Sequence, residues 1–399
     1  MTVLMKKLMI LGASYSQIPL YEAAKKLGVS TVAVSTPGDW PGFEAADEKS
    51  YTDISDPAAV LEAAEKFQID GITTCCLDAG VRAIGYVCEK MGLKGMTAKA
   101  ADISGNKFRM KEAFMEGGVR CARHICIHDR EELENAVRAL EFPMVVKAVD
   151  LMGSRGIYRC DSRAEVFANY ERTMEATGQD YCLLEEFIQG SILGCEAMMY
   201  NGRLLYCLPN NIEAYQSHVP TPVGHSVPYR KLEALGGEVE RQLRLAVKAT
   251  GIDNCPVNCD LIEKDGKIYV IEITGRAGGT CLPETVGLYY GIDYYEAIAR
   301  LALDMEPDRM FAGAAPRRAN LSHTLLSGRN GVVRAVRNEN EPSDDIVDLS
   351  FNISPGDRVR RYENGRDRLG QVIVTGKDLD ACEKRLEEIL SKINIEFEE

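Results

Sequence analysis

Two carboxylates, Asp260 and Glu272, stand twelve residues apart in the stretch PVNCDLIEKDGKIYVIEIT, residues 256–274. Lys264, Asp265 and Gly266 read as a three-residue turn with glycine in the left-handed position, which predicts a β-hairpin. That turn sets Glu263 opposite Lys267, Asn258 opposite Glu272 and Asp260 opposite Val270. Even-numbered residues then share one face, where Asp260, Ile262, Glu272 and Thr274 meet and Asp260 lies diagonal to Glu272. Carboxylates on an otherwise apolar face are costly unless paired or metal-bound. Hard oxygen ligands suit magnesium carrying nucleotide phosphates; the alternative is a solvated strand face. The sequence GRAGGT (275–280) follows at once and brings Arg276 near the carboxylates, placed for a phosphoryl or carboxylate oxygen.

Three further signals precede the hairpin. In FPMVVK (142–147), Val145 and Lys147 point the same way along a strand, so the lysine reaches a phosphate from the edge of an apolar pocket, or else it blunts a sheet edge. The loop LMGSRG (151–156) has glycines flanking Ser154 and Arg155, and its N–H groups and arginine suit phosphate wrapping. The segment CLLEEFIQG (182–190) alternates apolar and acidic groups, a pattern suited to clamping an adenine by backbone bonds and a carboxylate.

These residues need elements to position them. Residues 7–11, 29–34 and 71–76 read as strands alternating with helices at 18–27, from Asp56-Pro57 to about Phe67, and ending near Met91. Such alternation implies a parallel sheet with helices on its faces. From Thr97 a middle region begins, with a helix at 106–116 that carries Lys107 in its first turn and capping boxes at 129–132 and 162–165. From about Arg317 the texture changes to short strands, and an amphipathic helix is expected at 378–393. The fold class is thus α/β and α+β: a Rossmann-like domain over 1–96, a nucleotide-binding domain over 97–315 with a lid at about 110–188, and a small α+β domain over 316–399.

The net charge of −13 argues against a nucleic-acid binder. The apolar run Leu8–Leu11 is too short for a secretion signal or a membrane span, which points to the cytoplasm. The thirteen cysteines are irregularly spaced and read as reduced thiols. His124, Cys126 and His128 share a face of an extended segment, but zinc sites usually draw on two separated pairs. In the first turn, GASYSQ (12–17), Ser14 and Gln17 occupy positions where a dinucleotide fingerprint needs glycine, and no acidic residue follows the second strand; both features argue against NAD. His218 and His225, in the Pro-rich stretch before the hairpin, are either substrate-facing or part of a surface loop.

The order of these signals resembles the ATP-grasp superfamily over essentially the whole chain: Lys107, then Val145 and Lys147 with a glycine loop, then Glu185-Glu186, then Asp260, Glu272 and Arg276. The first hundred residues look like the domain that precedes the ATP-grasp fold in biotin carboxylase and carbamoyl phosphate synthetase. SPGDRV (354–359) and DRLGQVI (367–373) look like the C-terminal domain of L-amino-acid ligases. The resemblance implies that Lys107, Lys147 and the loop at Ser154 bind ATP phosphates and that Glu185 receives the adenine amino group. Glu186, Phe187 and Ile188 would form the clamp, Val145 and Ile262 would sandwich the base, and Glu196 would lie near the ribose. Asp260 and Glu272 would hold magnesium, or manganese in its place, and Arg276 would steady the transferring phosphate. Thr274 stands where the family commonly has asparagine, with Asn258 as the residue to compensate, a departure that points toward one metal rather than two or toward a non-catalytic ATP-binding module. The implied activity is a carboxylate–amine ligase working through an acyl phosphate on small molecules, with an amino-acid ligase ahead of a phosphoribosylglycinamide synthetase-like enzyme because of the tail. A homodimer is the assembly to expect. A bicarbonate-activating carboxylase is the competing enzyme class, although the Met-Lys-Met hairpin of a biotin carrier is missing.

Overall fold

The computed structural model describes residues 5–153, 155–216, 220–312, 318–363 and 367–398. Strands Lys7–Leu11, Ser30–Ser35, Glu48–Tyr51 and Gly71–Thr73 form a parallel sheet. Its helices start where the local chemistry directs. Asp56 accepts from the Ala58 and Ala59 amides ahead of Pro57, and Asn106 caps the helix Lys107–Glu116 through the Arg109 amide. In the first turn the buried Gln17 side chain accepts from Ser14 and donates to the Cys75 carbonyl at 2.7 Å.

A second, antiparallel sheet joins His124–Ile127, Cys182–Glu186, Met144–Lys147 and Ile157–Cys160. Met144, Val146, Cys182 and Leu184 face a core completed by Leu133, Ala136, Val137 and Val166 of two capped helices. The alternate residues Val145, Lys147 and Glu185 face the other way, toward the rest of the protein.

The third sheet has eight strands and is the backbone of the molecule. In spatial order these are Lys267–Thr274, Cys255–Lys264, Ser191–Tyr200, Arg203–Gln216, Pro220–Val227, Ala319–Leu326, Arg368–Gly376 and Ile346–Phe351. One face at the hairpin end buries Val257, Cys259, Leu261, Ile268, Val270 and Ile273 against Val239, Leu243 and Ala246 of the helix Leu232–Thr250. Each fully buried side chain of this kind contributes roughly 1.5–3 kcal/mol. The opposite face is left for Asn258, Asp260 and Glu272. Helices Leu282–Tyr290 and Tyr294–Ala302 cover the middle of that face and pack in turn on the first domain's Leu20, Tyr21 and Ala24.

Three sequence readings are corrected here. The change of texture at Arg317 is not a break in the sheet, because Gly224–Val227 pairs directly with Asn320–His323. The final helix stops at Leu390, and Ile393–Phe397 turns back as a strand beside Gly331–Asn338. The Pro-rich stretch is not a surface loop where it reaches His225, which lies inside the strand Pro220–Val227 and is 4% exposed. His218 lies outside the described residues.

Candidate active site

The hairpin's register differs from the sequence reading. Lys264 pairs with Lys267 across a two-residue turn, Asp265-Gly266, in which both residues have positive φ. Pairing then runs Glu263–Ile268, Ile262–Tyr269 and Leu261–Val270 until a bulge intervenes, after which Asp260 stands directly opposite Glu272 and Asn258 opposite Thr274. The extra residue, Ile271, resets the alternation. Val270 therefore points into the core while Glu272 emerges beside Asp260. The two carboxylates do share a face, but as direct neighbours rather than on a diagonal.

This placement is electrostatically loaded. Burial and the adjacent Glu272 raise the Asp260 carboxyl to about 7, and Asp260 has no hydrogen-bond partner among the described residues. Lys107 Nζ lies 3.4 Å from Glu272 Oε2 and donates to the Leu151 carbonyl at 2.7 Å, which ties the glycine loop to the carboxylates. Ser154 of that loop lies outside the described residues.

Arg276 is 8% exposed and anchored on both sides. Its Nε donates to Asp78 Oδ1 at 2.6 Å, and one terminal nitrogen donates to Asn258 Oδ1 at 3.2 Å. Asp78 also accepts from the Thr274 hydroxyl at 3.4 Å. Burial pushes Asp78 upward, but Arg276 overcomes this and holds its carboxyl below the usual value. Asn258 donates to Glu196 Oε1 at 2.7 Å, and the Gly278 amide donates to Glu196 Oε2 at 3.2 Å. Glu196 is fully enclosed, and burial lifts it to about 8. With both oxygens engaged under Gly278, Glu196 is a floor group that holds the loop after the hairpin. Asn258 and Thr274 are likewise turned to Glu196, Arg276 and Asp78, so the expected compensation of Thr274 by an Asn258 opposite Glu272 is not what the fold builds.

On the lid sheet, Glu185 is 3% exposed and its Oε2 accepts from Lys147 at 2.9 Å. Its Oε1 lies 3.5 Å from Lys111 and has no hydrogen-bond partner. Burial opposes ionisation of Glu185, but Lys111 and Lys147 hold it at about 2, while burial lowers Lys147. Glu185 thus anchors Lys147, and its second oxygen is left without a hydrogen-bond partner. Val145 pairs with Glu185 on this face, and Ile262 shares the hairpin face with Asp260. Glu186 is tied to Arg123 at 2.9 Å, the Phe187 amide donates to the Pro143 carbonyl, and Ile188 is half-buried beside them.

Sequence reasoning missed Lys111 and Asp78. Lys111 had a signal: it follows Lys107 by four residues, on the same helix face, between the buried Met110 and Phe114. Asp78 had none, since it meets Arg276 from 198 residues away. In the run from His124 to His128, His124 Nε2 faces Glu112 at 3.2 Å, His128 Nδ1 faces Glu132 at 3.0 Å and its Nε2 lies 4.0 Å from the Cys126 sulfur, and all thirteen cysteines are free thiols.

Set beside known proteins, residues 140–284 match the profile described as "ATP-grasp domain". Residues 59–192 match "Carbamoyl-phosphate synthase L chain, ATP binding domain", and residues 323–398 match "L-amino acid ligase C-terminal domain 2". A solved structure of phosphoribosylglycinamide synthetase from Anaerococcus prevotii is 38% identical, covers 98% of this chain and 100% of its own, and superposes with a TM-score of 0.86. An L-amino acid ligase from Bacillus licheniformis is 20% identical, covers 99% of each chain and has a TM-score of 0.87. A formate-dependent phosphoribosylglycinamide formyltransferase of Methanocella arvoryzae is 23% identical over 98% of this chain and 92% of its own. No helix among the described residues is long and apolar enough to cross a membrane.

Proposed function

Because the chain belongs to the ATP-grasp superfamily and is an ATP-grasp ligase, we propose that it joins a carboxylate to an amine through an acyl phosphate, with an amino acid as one substrate. The observation that carries this reading is the opposed pair Asp260 and Glu272, flanked by Lys107 and by an Arg276 that Asp78 and Asn258 hold in place. The pair fits a magnesium or manganese ion: two hard oxygen donors stand side by side, and the protonation that relieves Asp260 is replaced by the cation's charge. Such an ion would neutralise the ATP phosphates.

The chain's own residues do the rest. Lys107 links the carboxylates to the glycine loop, Lys147 faces the site from the lid, and Arg276 steadies the acid as one of its oxygens takes the γ-phosphoryl group from ATP. ADP leaves, the amine nitrogen attacks the acyl carbon, and phosphate departs. Positioning and charge neutralisation supply most of the acceleration in such transfers. The loop at 151–156 would exclude water that otherwise hydrolyses the acyl phosphate.

A phosphoribosylglycinamide synthetase-like reaction is the second reading, favoured by the 38% identity across the whole chain. The test is ADP release with magnesium–ATP and hydroxylamine against a panel of amino acids, with glycine plus phosphoribosylamine as a separate arm. Hydroxamate from amino acids other than glycine supports the first reading. Turnover only with glycine and phosphoribosylamine keeps the carboxylate–amine ligation and replaces the broader amino-acid specificity with the second reading.

A further inference from the structure

Eight residues beyond Arg276, the same loop ends in an acid with no role in the chemistry above. Glu284 sits in the first turn of the helix Leu282–Tyr290. Its Oε1 accepts from the Tyr295 hydroxyl at 2.7 Å, while its Oε2 is enclosed and has no hydrogen-bond partner. An orphaned carboxylate oxygen away from water is expensive unless a donor reaches it. The nearby charges make this sharper. Burial raises the Glu284 carboxyl, and among the charged side chains nearby Asp348 opposes its ionisation while Arg368 favours it. Asp348 comes from the strand Ile346–Phe351 at the far edge of the central sheet. One of its oxygens, Oδ2, is fixed by Gln371 at 2.6 Å and Ser350 at 3.2 Å, and Gln371 is fixed in turn by the Cys281 thiol at 3.1 Å. Hydrogen bonds from Tyr295, and through Cys281 and Gln371, therefore fix the two acids on neighbouring elements.

We propose that Glu284 and Asp348 form a subsite for the non-reacting ammonium group of an amino-acid substrate. An ammonium carries three donors on a compact positive centre, enough to satisfy Glu284 Oε2 and reach Asp348 together. An ammonium would bring to the enclosed Glu284 Oε2 both the positive charge and the donor that this oxygen lacks. The position also suits a substrate that reaches the phosphoryl-transfer site, since the loop that carries Arg276 runs directly into the helix that carries Glu284. The carboxylate to be activated would lie toward Arg276 and the amino group toward Glu284. This rests on the ligase reading but adds to it: acids without an amino group are poor substrates because the subsite's charge then goes unanswered.

The experiment measures binding, so it stands apart from turnover. Calorimetry on the full chain with magnesium–ADP would titrate the common L-amino acids and, for each binder, its deamino and N-acetyl counterparts. Expected is binding of at least one amino acid, at least tenfold tighter than either counterpart. Glu284→Gln and, separately, Asp348→Asn should weaken that binding at least tenfold while leaving ADP binding and the melting temperature near wild type. The proposal is overturned if counterparts bind as well as the amino acid, if both folded variants bind it like wild type, if the variants change the magnesium response instead, or if no amino acid binds. Hydroxamate formation from acids lacking an amino group, alongside any of these outcomes, would leave the ligase reading standing while this subsite falls.

Discussion

Asp260 and Glu272 stand opposite each other and Glu272 opposes the ionisation of Asp260, so under the proposed metal role they should behave as one unit. Asp260→Asn and Glu272→Gln should each cut ATP turnover by about a hundredfold, the scale of losing one electrostatic stabiliser. The double variant should lose little more, because effects within one catalytic unit are not additive. Turnover against magnesium concentration checks this, and near-normal rates at low magnesium in either variant would remove the metal assignment. His225 gives a prediction in pH. Burial holds its ring near 4, below the ordinary 6.5, while its Nδ1 lies 3.0 Å from Asn210 Oδ1. The unfolded chain therefore binds the extra proton first. Stability contributed by the neutral ring is complete above about 6.5 and lost as pH falls toward 4, up to about 3 kcal/mol. Denaturant midpoints should drop over that window in the wild type and drop less in His225→Gln; equal drops would show that the acid sensitivity lies elsewhere. The pairing of Asp260 and Glu272 on one face, with Arg276 just beyond the strand, was legible in the sequence because acids are unusual on an otherwise apolar hairpin face. Asp78 was not, because nothing local to it distinguishes it from a solvated acid.

The loop after the hairpin works as an element because it lies close to the sheet. A Cβ on Gly278 would come within 2.3 Å of Leu282, 2.7 Å of Glu196 Oε1 and 2.9 Å of Asn258 Nδ2. Gly278→Ala should lift the loop from Glu196 and loosen Arg276, reducing kcat at least tenfold while ATP affinity changes less than threefold. Steady-state kinetics with calorimetry separates the two quantities, and an unchanged kcat would mean that the loop does not need this contact. Helix starts at Asp56, Asn106, Asp129, Ser162 and Asp378 were readable because a cap is decided within four residues. The hairpin register was not. Gly266 fits a two- or a three-residue turn, and the bulge at Ile271 answers to the core under Val270 and Ile273, which lies on another element.

At the scale of the whole molecule, the first domain is clamped to the loop after the hairpin, which carries the proposed phosphoryl-transfer residue Arg276. The Cys76 amide donates to the Ala277 carbonyl at 3.0 Å, Cys75 bridges Ala277, and Asp78 holds Arg276. Asp78→Asn should therefore lower kcat about tenfold or more with ATP binding nearly intact, although Asp78 belongs to a different domain from the nucleotide residues. A proportional loss of ATP affinity, measured by calorimetry, would instead make Asp78 part of the nucleotide pocket. The three-part plan was visible in the change from strand–helix alternation to short strands. The continuous central sheet was not, since it pairs Gly224–Val227 with Asn320–His323 across most of a hundred residues that carry no mark of the pairing. All of this serves one claim, that the protein activates a carboxylate as an acyl phosphate. The direct measurement is turnover with magnesium–ATP and amino acids carrying oxygen-18 in their carboxylates, followed by mass analysis of the products. Labelled inorganic phosphate beside ADP is the predicted result, with the signal collapsing in Asp260→Asn. Unlabelled phosphate during turnover, or AMP and pyrophosphate as the products, would contradict it.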